Sequence, residues 1–279
     1  MRFAFALLPP VLLSLSVARP ASSQGVPTTQ PNLLTIVREE VKVGHGAAHA
    51  AHEAGWPAAF GRAKSTDYYL ALVSMTGPNE AWYVTPYASH AAQGESMKRE
   101  SADAVLTAEL QRLSRGDADH INSLRVINAV ARPDLSHGAF PDLGLVRFYE
   151  ITIFRVRPGH EMAFADAAKA YAAAAKRATS NASWRTYEVT AGLPGPTFMV
   201  FGTVQQFSEF DRSMQDGRAT MQAFTPDELS VLQKFSTAGM INAETQRFRL
   251  DPTQSYVDAE TKAKDPAFWN PPRRTARSQ

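Results

Sequence analysis

Three of the seven histidines lie close together in the sequence, at His45, His49 and His52, and an acid, Glu53, follows the last of them. The Ala-rich segment around them predicts a helix, and helical spacing places the three rings within about 60° of arc. Imidazole titrates near neutral pH and is a common metal ligand. One stripe of this helix therefore combines residue types that accept protons or bind ions.

Two interpretations of the stripe involve no metal. In the first, His49 and His52 are hydrogen-bonded core residues, or a rotated helix exposes them to solvent. In the second, the cleft between helix and sheet binds a small molecule. His49 is then the general base, Glu53 at i+4 orients it, and Trp56 forms an aromatic wall of the pocket.

A third interpretation is metal or haem ligation. His45 and His49, at i and i+4, can chelate one ion, whereas His45 and His52 lie about 10 Å apart along the helix axis. The zinc-protease pattern His-Glu-x-x-His is absent from the sequence. We therefore assign His49 and Glu53 as the catalytic candidates and His45, His52 and Trp56 as pocket candidates, with no metal site.

Two residues outside the helix are candidates for the same pocket. Tyr83 belongs to an aromatic, strand-like run, and His90 follows that run and can reach the cleft. Asp117 and His120 stand in a Gly-containing connection whose spacing matches no calcium loop, so we expect a solvated turn there.

Common cofactor motifs are absent. The chain has no cysteine, no Gly-x-Gly-x-x-Gly or P-loop, and no Gly-x-Ser-x-Gly elbow. The sequence therefore identifies no cofactor and leaves open whether the protein is an enzyme.

The chain repeats itself at an interval of 115 residues. The segment from Val41 to His45 returns as Val156 to His160, and each copy follows a β-like run and precedes an Ala-rich helical stretch. Two β-rich runs joined by Gly-Pro, a helical region and a final strand complete each copy. The order β-α-β-β-α-β thus occurs twice, which is the ferredoxin-like arrangement.

Both faces of the run from Tyr68 to Thr76 are apolar, so each sheet needs a cover on both sides. We expect an α+β fold in which two tandem ferredoxin-like units pack sheet to sheet as an intrachain pseudo-dimeric α/β barrel. The expected ranges are a signal peptide at 1–23, a linker at 24–32, repeats at 33–135 and 147–250 around a linker at 136–146, and an extended tail at 251–279.

This element order, the duplication and the turns at Gly44-His45 and Gly159-His160 resemble the dimeric α/β-barrel superfamily over residues 33–250. The superfamily includes the NIPSNAP family, the antibiotic-biosynthesis monooxygenases and several haem-handling barrels. The resemblance implies paired ferredoxin-like units, and it implies no single chemistry because the fold hosts many.

The second repeat serves as a control for the first. At the offset of 115, His49 corresponds to Phe164, His52 to Ala167 and Trp56 to Tyr171. Because Phe164, Ala167 and Tyr171 form an apolar stripe, the histidine stripe should also face its sheet. Buried imidazoles need partners, so this difference points to a special role in the first repeat.

Residues 1–23 have the pattern of a secretory signal, with Arg2, an apolar stretch and small residues before a cleavage point after Ser23. The chain has 29 basic and 27 acidic residues, and two of the basic ones, Arg2 and Arg19, lie in this leader. The remaining body is neutral, which disfavours nucleic acid as a partner. We expect a periplasmic or secreted protein that is free of the membrane after cleavage.

Three functions fit these features. The first is a small-molecule enzyme, an oxygenase or isomerase that uses no nucleotide. The second is a non-catalytic protein that binds a haem-like or apolar ligand. The third is a structural or assembly protein, because the outward face of the first helix is small and uncharged (Gly46, Ala47, Ala50, Ala54, Ala58) and can form a homodimer contact.

Overall fold

The computed structural model describes residues 25–271. The predicted signal peptide and the basic end of the tail, from residue 272 onward, lie outside the described residues. No helix in the described range is both long and apolar enough to cross a membrane.

Eight strands form the sheet: β1 (Leu33–Val41), β2 (Leu70–Ser74), β3 (Glu80–Tyr87), β4 (Ile121–Ala131), β5 (Phe148–Val156), β6 (Trp184–Ala191), β7 (Thr197–Val204) and β8 (Met240–Leu250). The helices are α1 (Gly46–Glu53), α2 (Gly55–Arg62), α3 (His90–Ala102), α4 (Ala104–Asp117), α5 (Glu161–Arg177), α6 (Glu209–Gln222), α7 (Pro226–Lys234), α8 (Ala259–Lys264) and α9 (Pro266–Trp269). Helices α3 and α6 are additional to the elements expected from the sequence.

The strands close into one antiparallel barrel in the order β1-β3-β2-β8-β5-β7-β6-β4. The first half contributes four neighbouring strands in the order β4-β1-β3-β2, and the second contributes β8-β5-β7-β6. The halves meet through hydrogen-bonded pairs, β2 with β8 and β4 with β6. The two sheets are therefore joined edge to edge, which satisfies the backbone groups that separate sheets would leave unpaired at their edges.

The seam between β4 and β6 depends on a glycine. Gly192 follows β6 with φ +92°, and a Cβ there would lie 2.1 Å from the Val126 carbonyl oxygen. Only glycine permits this approach without moving the backbone.

The strands alternate between the barrel interior and the helix-covered outside. Ile36 of β1 is fully buried in the interior core together with Trp82 and Phe248, whose ring centroids are 4.8 Å apart. The outward side of β1, including Val37, Glu39 and Val41, lies under the helices of the first half. This outward side is where the polar residues discussed below are placed.

The helix expected around the histidines is divided. Helix α1 ends at Glu53 and α2 begins at Gly55, with Ala54 between them. Gly55 and Pro57 lie at this break, and both residue types favour a kink or an end in a helix. The aromatic residues Trp56 and Phe60 therefore belong to a second helix and do not extend the histidine stripe.

The segment after β8 is not simply extended, because it contains α8 and α9. Asp258 and Asp265 start these helices by accepting hydrogen bonds from the backbone N–H groups of Thr261 and Phe268. Trp269 is buried and donates through Nε1 to the Gly144 carbonyl at 2.9 Å. The tail thus completes the core at one end of the barrel.

Candidate functional site: a buried histidine and carboxyl cluster

His49 and Glu39 form a buried pair between α1 and β1. His49 donates through Nε2 to Glu39 Oε2 at 2.9 Å. Glu39 stands between Val37 and Val41 on the outward face of β1, so the strand directs its carboxylate at the helix. The sequence-predicted His49 is thus a buried residue with a charged partner.

His52 lies one turn further along α1 and faces the end of α4. Its Nε2 is 2.9 Å from the Leu113 carbonyl oxygen and 2.8 Å from Asp117 Oδ1. The ring directs its N–H to the carbonyl, so Asp117 Oδ1 is left without a hydrogen bond. The solvated turn that we expected at Asp117 is wrong, because the carboxyl group is buried against α1.

Glu53 lies between these two pairs. Burial, the neighbouring carboxyl groups of Glu39 and Asp117, and a hydrogen bond with Asp117 raise the pKa of Glu53 from 4.5 to about 9. Its Oε1 atom is buried and has no hydrogen-bond partner. The carboxyl group therefore keeps a proton at neutral pH in the metal-free protein.

We call Glu39, His49, His52, Glu53 and Asp117 the polar cluster. Glu39 is 3% exposed, His49 3%, Glu53 2% and Asp117 4%. Glu39, His49 and Glu53 each offer a ligand atom within 4.8 Å of the others, and so do His52, Glu53 and Asp117. The cluster can hold protons or a metal ion.

Tyrosines border the cluster on the sheet side. The Tyr83 hydroxyl donates to Gln254 Oε1 at 3.0 Å and lies close enough to Glu53 to offset part of the rise in its pKa. Burial and the charge of Glu53 in turn raise the pKa of both Tyr69 and Tyr83 well above the usual value. Trp56 packs in the same group of side chains as Tyr83. Five of the predicted residues are therefore gathered at or beside the cluster: His49, His52, Glu53, Trp56 and Tyr83.

His45 and His90 lie outside the polar cluster. His45 is half-buried beside His120, with their Nδ1 atoms 3.5 Å apart. The His120 ring is also 5.5 Å from the His52 ring. His90 is exposed at the start of α3, and its ring contacts Gln93, so the structure does not bring it to the cluster.

The equivalent positions of the second half are apolar. Phe154 stands where the first half has Glu39, and Phe164 where it has His49, and these two rings pack at 5.5 Å. Ala167 and Ala168 replace His52 and Glu53. The fold therefore does not require the polar residues, and their burial in one half needs a separate explanation.

Sequence reasoning missed Glu39 and Asp117. A signal for Glu39 was present in the sequence. Glu39 is an acid at an outward-facing position of β1, and the equivalent position of β5 carries Phe154. Asp117 had no such signal, because its burial depends on where α4 ends against α1.

A large cavity lies in the second half. It measures about 510 Å³ and is lined by α5, α6 and the outward faces of β5, β6 and β7. Six aromatic side chains contribute to its wall: Phe154, Phe164, Tyr171, Trp184, Phe210 and Phe235. Polar and charged side chains line it as well, among them Thr152, Glu150, Arg212 and Asp216. The sequence predicts that the ligand cleft lies in the first half. In the structure, the polar cluster lies between helix and sheet in that half.

A smaller, mostly apolar cavity of about 70 Å³ lies at the barrel interior. Tyr149 and Tyr187 line it, and the buried Tyr149 hydroxyl has no hydrogen-bond partner. This space is below the size of typical small-molecule sites.

No protein-family model matches the chain, and no curated protein matches it either. A putative monooxygenase from Fusobacterium nucleatum subsp. nucleatum ATCC 25586 has a similar structure, with a TM-score of 0.51 and 10% identity over 79% of this chain and 92% of its own. An anthrone oxidase-like protein gives a TM-score of 0.51 and 10% identity over 81% of this chain and 93% of its own.

A mutant chlorite dismutase from Candidatus Nitrospira defluvii gives a TM-score of 0.48 at 13% identity, over 85% of this chain and 96% of its own. That score supports no conclusion. The narrower likeness to NIPSNAP or antibiotic-biosynthesis monooxygenase domains stays a prediction. The closed antiparallel barrel and its similarity to the first two structures show an α+β barrel fold, with eight strands in the barrel and helices on its outside.

Proposed function

We propose that this protein is an exported small-molecule-binding protein, built from two ferredoxin-like units in one chain, whose ligand occupies the cavity of the second half. The observation that carries the proposal is the aromatic cavity of about 510 Å³, which falls within the usual range for ligand pockets. The strand order β4-β1-β3-β2 and its repetition as β8-β5-β7-β6 support the two-unit description.

The lining indicates the class of ligand. Six aromatic side chains favour a flat, ring-containing molecule, and the polar side chains between them suit hydroxyl or carbonyl substituents. Among the described residues that line the cavity there is no histidine or methionine, and Tyr171 is the side chain of a type that ligates haem iron. This composition favours an organic ring compound over a haem-like ligand.

Oxygenation of the bound ligand is the enzymatic form of the proposal. The two structures that share the fold are named a putative monooxygenase and an anthrone oxidase-like protein. At 10% identity they support the fold alone. Neither His49 nor Glu53 lines the second-half cavity, so the proposal rests on binding and assigns those residues no step in it.

Export follows from the predicted signal peptide. In cells that express the full chain, the mature protein should be recovered outside the cytoplasm, and its N-terminal sequence should begin after Ser23. A protein that retains Met1 in the cytoplasmic fraction contradicts export and leaves the binding proposal intact.

A cavity-blocking variant tests ligand binding. Gly202 lines the cavity on β7, and a Cβ there makes only an ordinary contact of 3.6 Å with the Glu150 carbonyl oxygen. We expect Gly202→Leu to bind anthrone, a tricyclic aromatic ketone, about 10-fold or more weakly than the parent by calorimetry, because the added side chain fills the cavity.

The matched control is Gly46→Ala, at a position where an added Cβ meets no atom within 4 Å. It should bind anthrone as the parent does. Equal binding by Gly202→Leu and the parent contradicts the assigned cavity, and no heat of binding for the parent contradicts the ligand class. Oxygen consumption upon addition of anthrone measures the enzymatic form separately.

A further inference from the structure

The polar cluster contains more buried carboxyl groups than positive partners. In the described part of the chain, the ion-pair contacts of Glu39 and Asp117 are to His49 and His52, and Glu53 has no ion pair. Buried charges are expensive unless they are paired or coordinate metals. With three carboxyl groups and two imidazoles, the metal-free cluster keeps the carboxyl group of Glu53 protonated, and a bound cation can take the place of that proton.

Unpartnered atoms point to the same place. Six buried side-chain polar atoms in residues 25–271 have no hydrogen-bond partner, and four of them lie around α1 and α2: Glu53 Oε1, Trp56 Nε1, Tyr69 Oη and Asp117 Oδ1. Buried polar groups are nearly always satisfied, so a concentration of exceptions indicates a group that binds among them. Glu53, at 2% exposure, carries one of these unpartnered oxygens and offers a ligand atom within 4.8 Å of those of both neighbouring pairs.

The distances within the cluster suit a metal ion. The ligand atoms of Glu39, His49 and Glu53 lie within 4.8 Å of one another, and those of His52, Glu53 and Asp117 do as well. Nitrogen and oxygen ligands about 2.1 Å from an ion are about 3 Å apart when they occupy adjacent octahedral positions. The contacts His49–Glu39 at 2.9 Å and His52–Asp117 at 2.8 Å are close to that spacing.

A line of imidazoles connects the cluster to the surface. His45 and His120 are half-buried, and the His120 ring lies 5.8 Å from the His45 ring and 5.5 Å from the His52 ring. A metal site needs an entry path for its ion. These rings offer successive ligands from the solvent side to His52.

We propose that the polar cluster is a binding site for a first-row divalent transition-metal ion, held by Glu39, His49 and Glu53 or by His52, Glu53 and Asp117, with Glu53 common to both sets. A single carboxylate has two oxygens, so Glu53 can serve both sets at once. Each set offers one imidazole and two carboxylates, which suits Mn²⁺, Fe²⁺, Co²⁺ or Zn²⁺, whereas Mg²⁺ and Ca²⁺ prefer oxygen ligands alone. The apolar equivalents in the second half show that the fold forms without such a site.

The test uses the mature full-length protein after EDTA treatment and desalting. Titration with Mn²⁺, Co²⁺ and Zn²⁺ by calorimetry should give saturable binding of one or two ions per chain, and each ion should raise Tm. The Co²⁺ form should show visible d–d absorption. Mg²⁺ at the same concentrations should give neither a heat of binding nor a shift in Tm.

Variants locate the site. We expect Glu53→Gln to weaken Zn²⁺ binding about 100-fold or more, because removal of groups that merely support metal ligands already costs 10 to 100-fold. His49→Gln removes a ligand from the first set alone, so its effect on Zn²⁺ binding shows which of the two sets holds the ion. His137→Gln is the control, since its imidazole lies in a stack with Trp184 in the other half of the barrel.

The outcomes are distinct from those of the ligand proposal. Binding of Zn²⁺ that Glu53→Gln abolishes and His137→Gln preserves supports the site, provided that Glu53→Gln still shows the parent's circular dichroism spectrum. Absence of saturable binding in the parent, or equal binding by the parent and Glu53→Gln, overturns it. Anthrone binding in the second half is measured independently and can succeed or fail in either case.

Discussion

In protein kept free of divalent ions, Glu53→Gln should be more stable than the parent at pH 8, by on the order of 4 kcal/mol. Burial and the neighbouring carboxyl groups raise the pKa of Glu53 from 4.5 in the unfolded chain to about 9 in the folded one. Between these values the folded state holds a proton that the unfolded state has released. The contribution of Glu53 to stability is therefore fully present below pH 4.5 and falls as the pH rises towards 9, by about 1.4 kcal/mol per unit.

Glutamine carries no such proton, so the variant lacks this decline. The groups that face Glu53 are Glu39, His49, His52, Asp117, Tyr69 and Tyr83, and all of them stay in the variant. Urea unfolding in EDTA at pH 5, 6, 7 and 8 measures the difference.

Glu40→Gln is the control, because Glu40 is an exposed carboxylate on the same strand as Glu39. The free energy of unfolding of this variant should change with pH in parallel with that of the parent. If the Glu53→Gln profile also runs parallel to the parent, the protonated state assigned to Glu53 is wrong.

The second large effect is expected inside the barrel, where Glu80→Ala should lower the free energy of unfolding by about 3 to 5 kcal/mol. Glu80 accepts two hydrogen bonds from Arg38, at 2.7 and 2.9 Å, and one from Trp82 Nε1 at 2.9 Å. Removal of the carboxylate leaves a largely buried guanidinium and an indole N–H without their partner. The loss of stability comes mainly from leaving these groups unpaired. It exceeds the free energy lost with the contact area of the removed side chain.

The comparison is Glu188→Ala, which removes a half-exposed carboxylate 2.8 Å from Arg132. This change should cost no more than about 1 kcal/mol, since solvent screens such pairs. The double variant Arg38→Met/Glu80→Leu should recover most of the stability lost in Glu80→Ala, because no buried charge remains unpaired. Urea unfolding of all three variants tests this, and equal costs for Glu80→Ala and Glu188→Ala would contradict it.

The strands were largely predictable because their pattern is local. The β-like runs 184–191 and 197–204 of the sequence have the bounds of β6 and β7, and the runs 33–42 and 148–157 extend one residue past the ends of β1 and β5. The first and last residues of β5 each lie 115 positions after those of β1, which is the interval of the repeat. Helix α3 is mostly polar and weakly amphipathic, so it had little periodic signal, whereas α6 is clearly amphipathic and its signal was missed.

The polar cluster was predictable in part. His49, His52 and Glu53 were singled out because they share one helical stripe, and their burial followed from the apolar stripe of the second repeat. Glu39 and Asp117 come from a strand and a helix end distant in sequence, and no spacing rule connects them with α1. Only the register of β1 and the packing of α4 bring these carboxyl groups to the imidazoles.

The sequence was sufficient for the order of elements, the duplication and the unusual histidines of the first repeat, because periodicity and repetition are properties of neighbouring residues. The closure of the two sheets into one barrel, the partners of His49 and His52, and the open cavity of the second half arise only in the folded chain. They depend on hydrogen bonds between edge strands and on how tightly each helix packs on its sheet. Those are contacts between residues far apart in sequence, which local patterns do not specify.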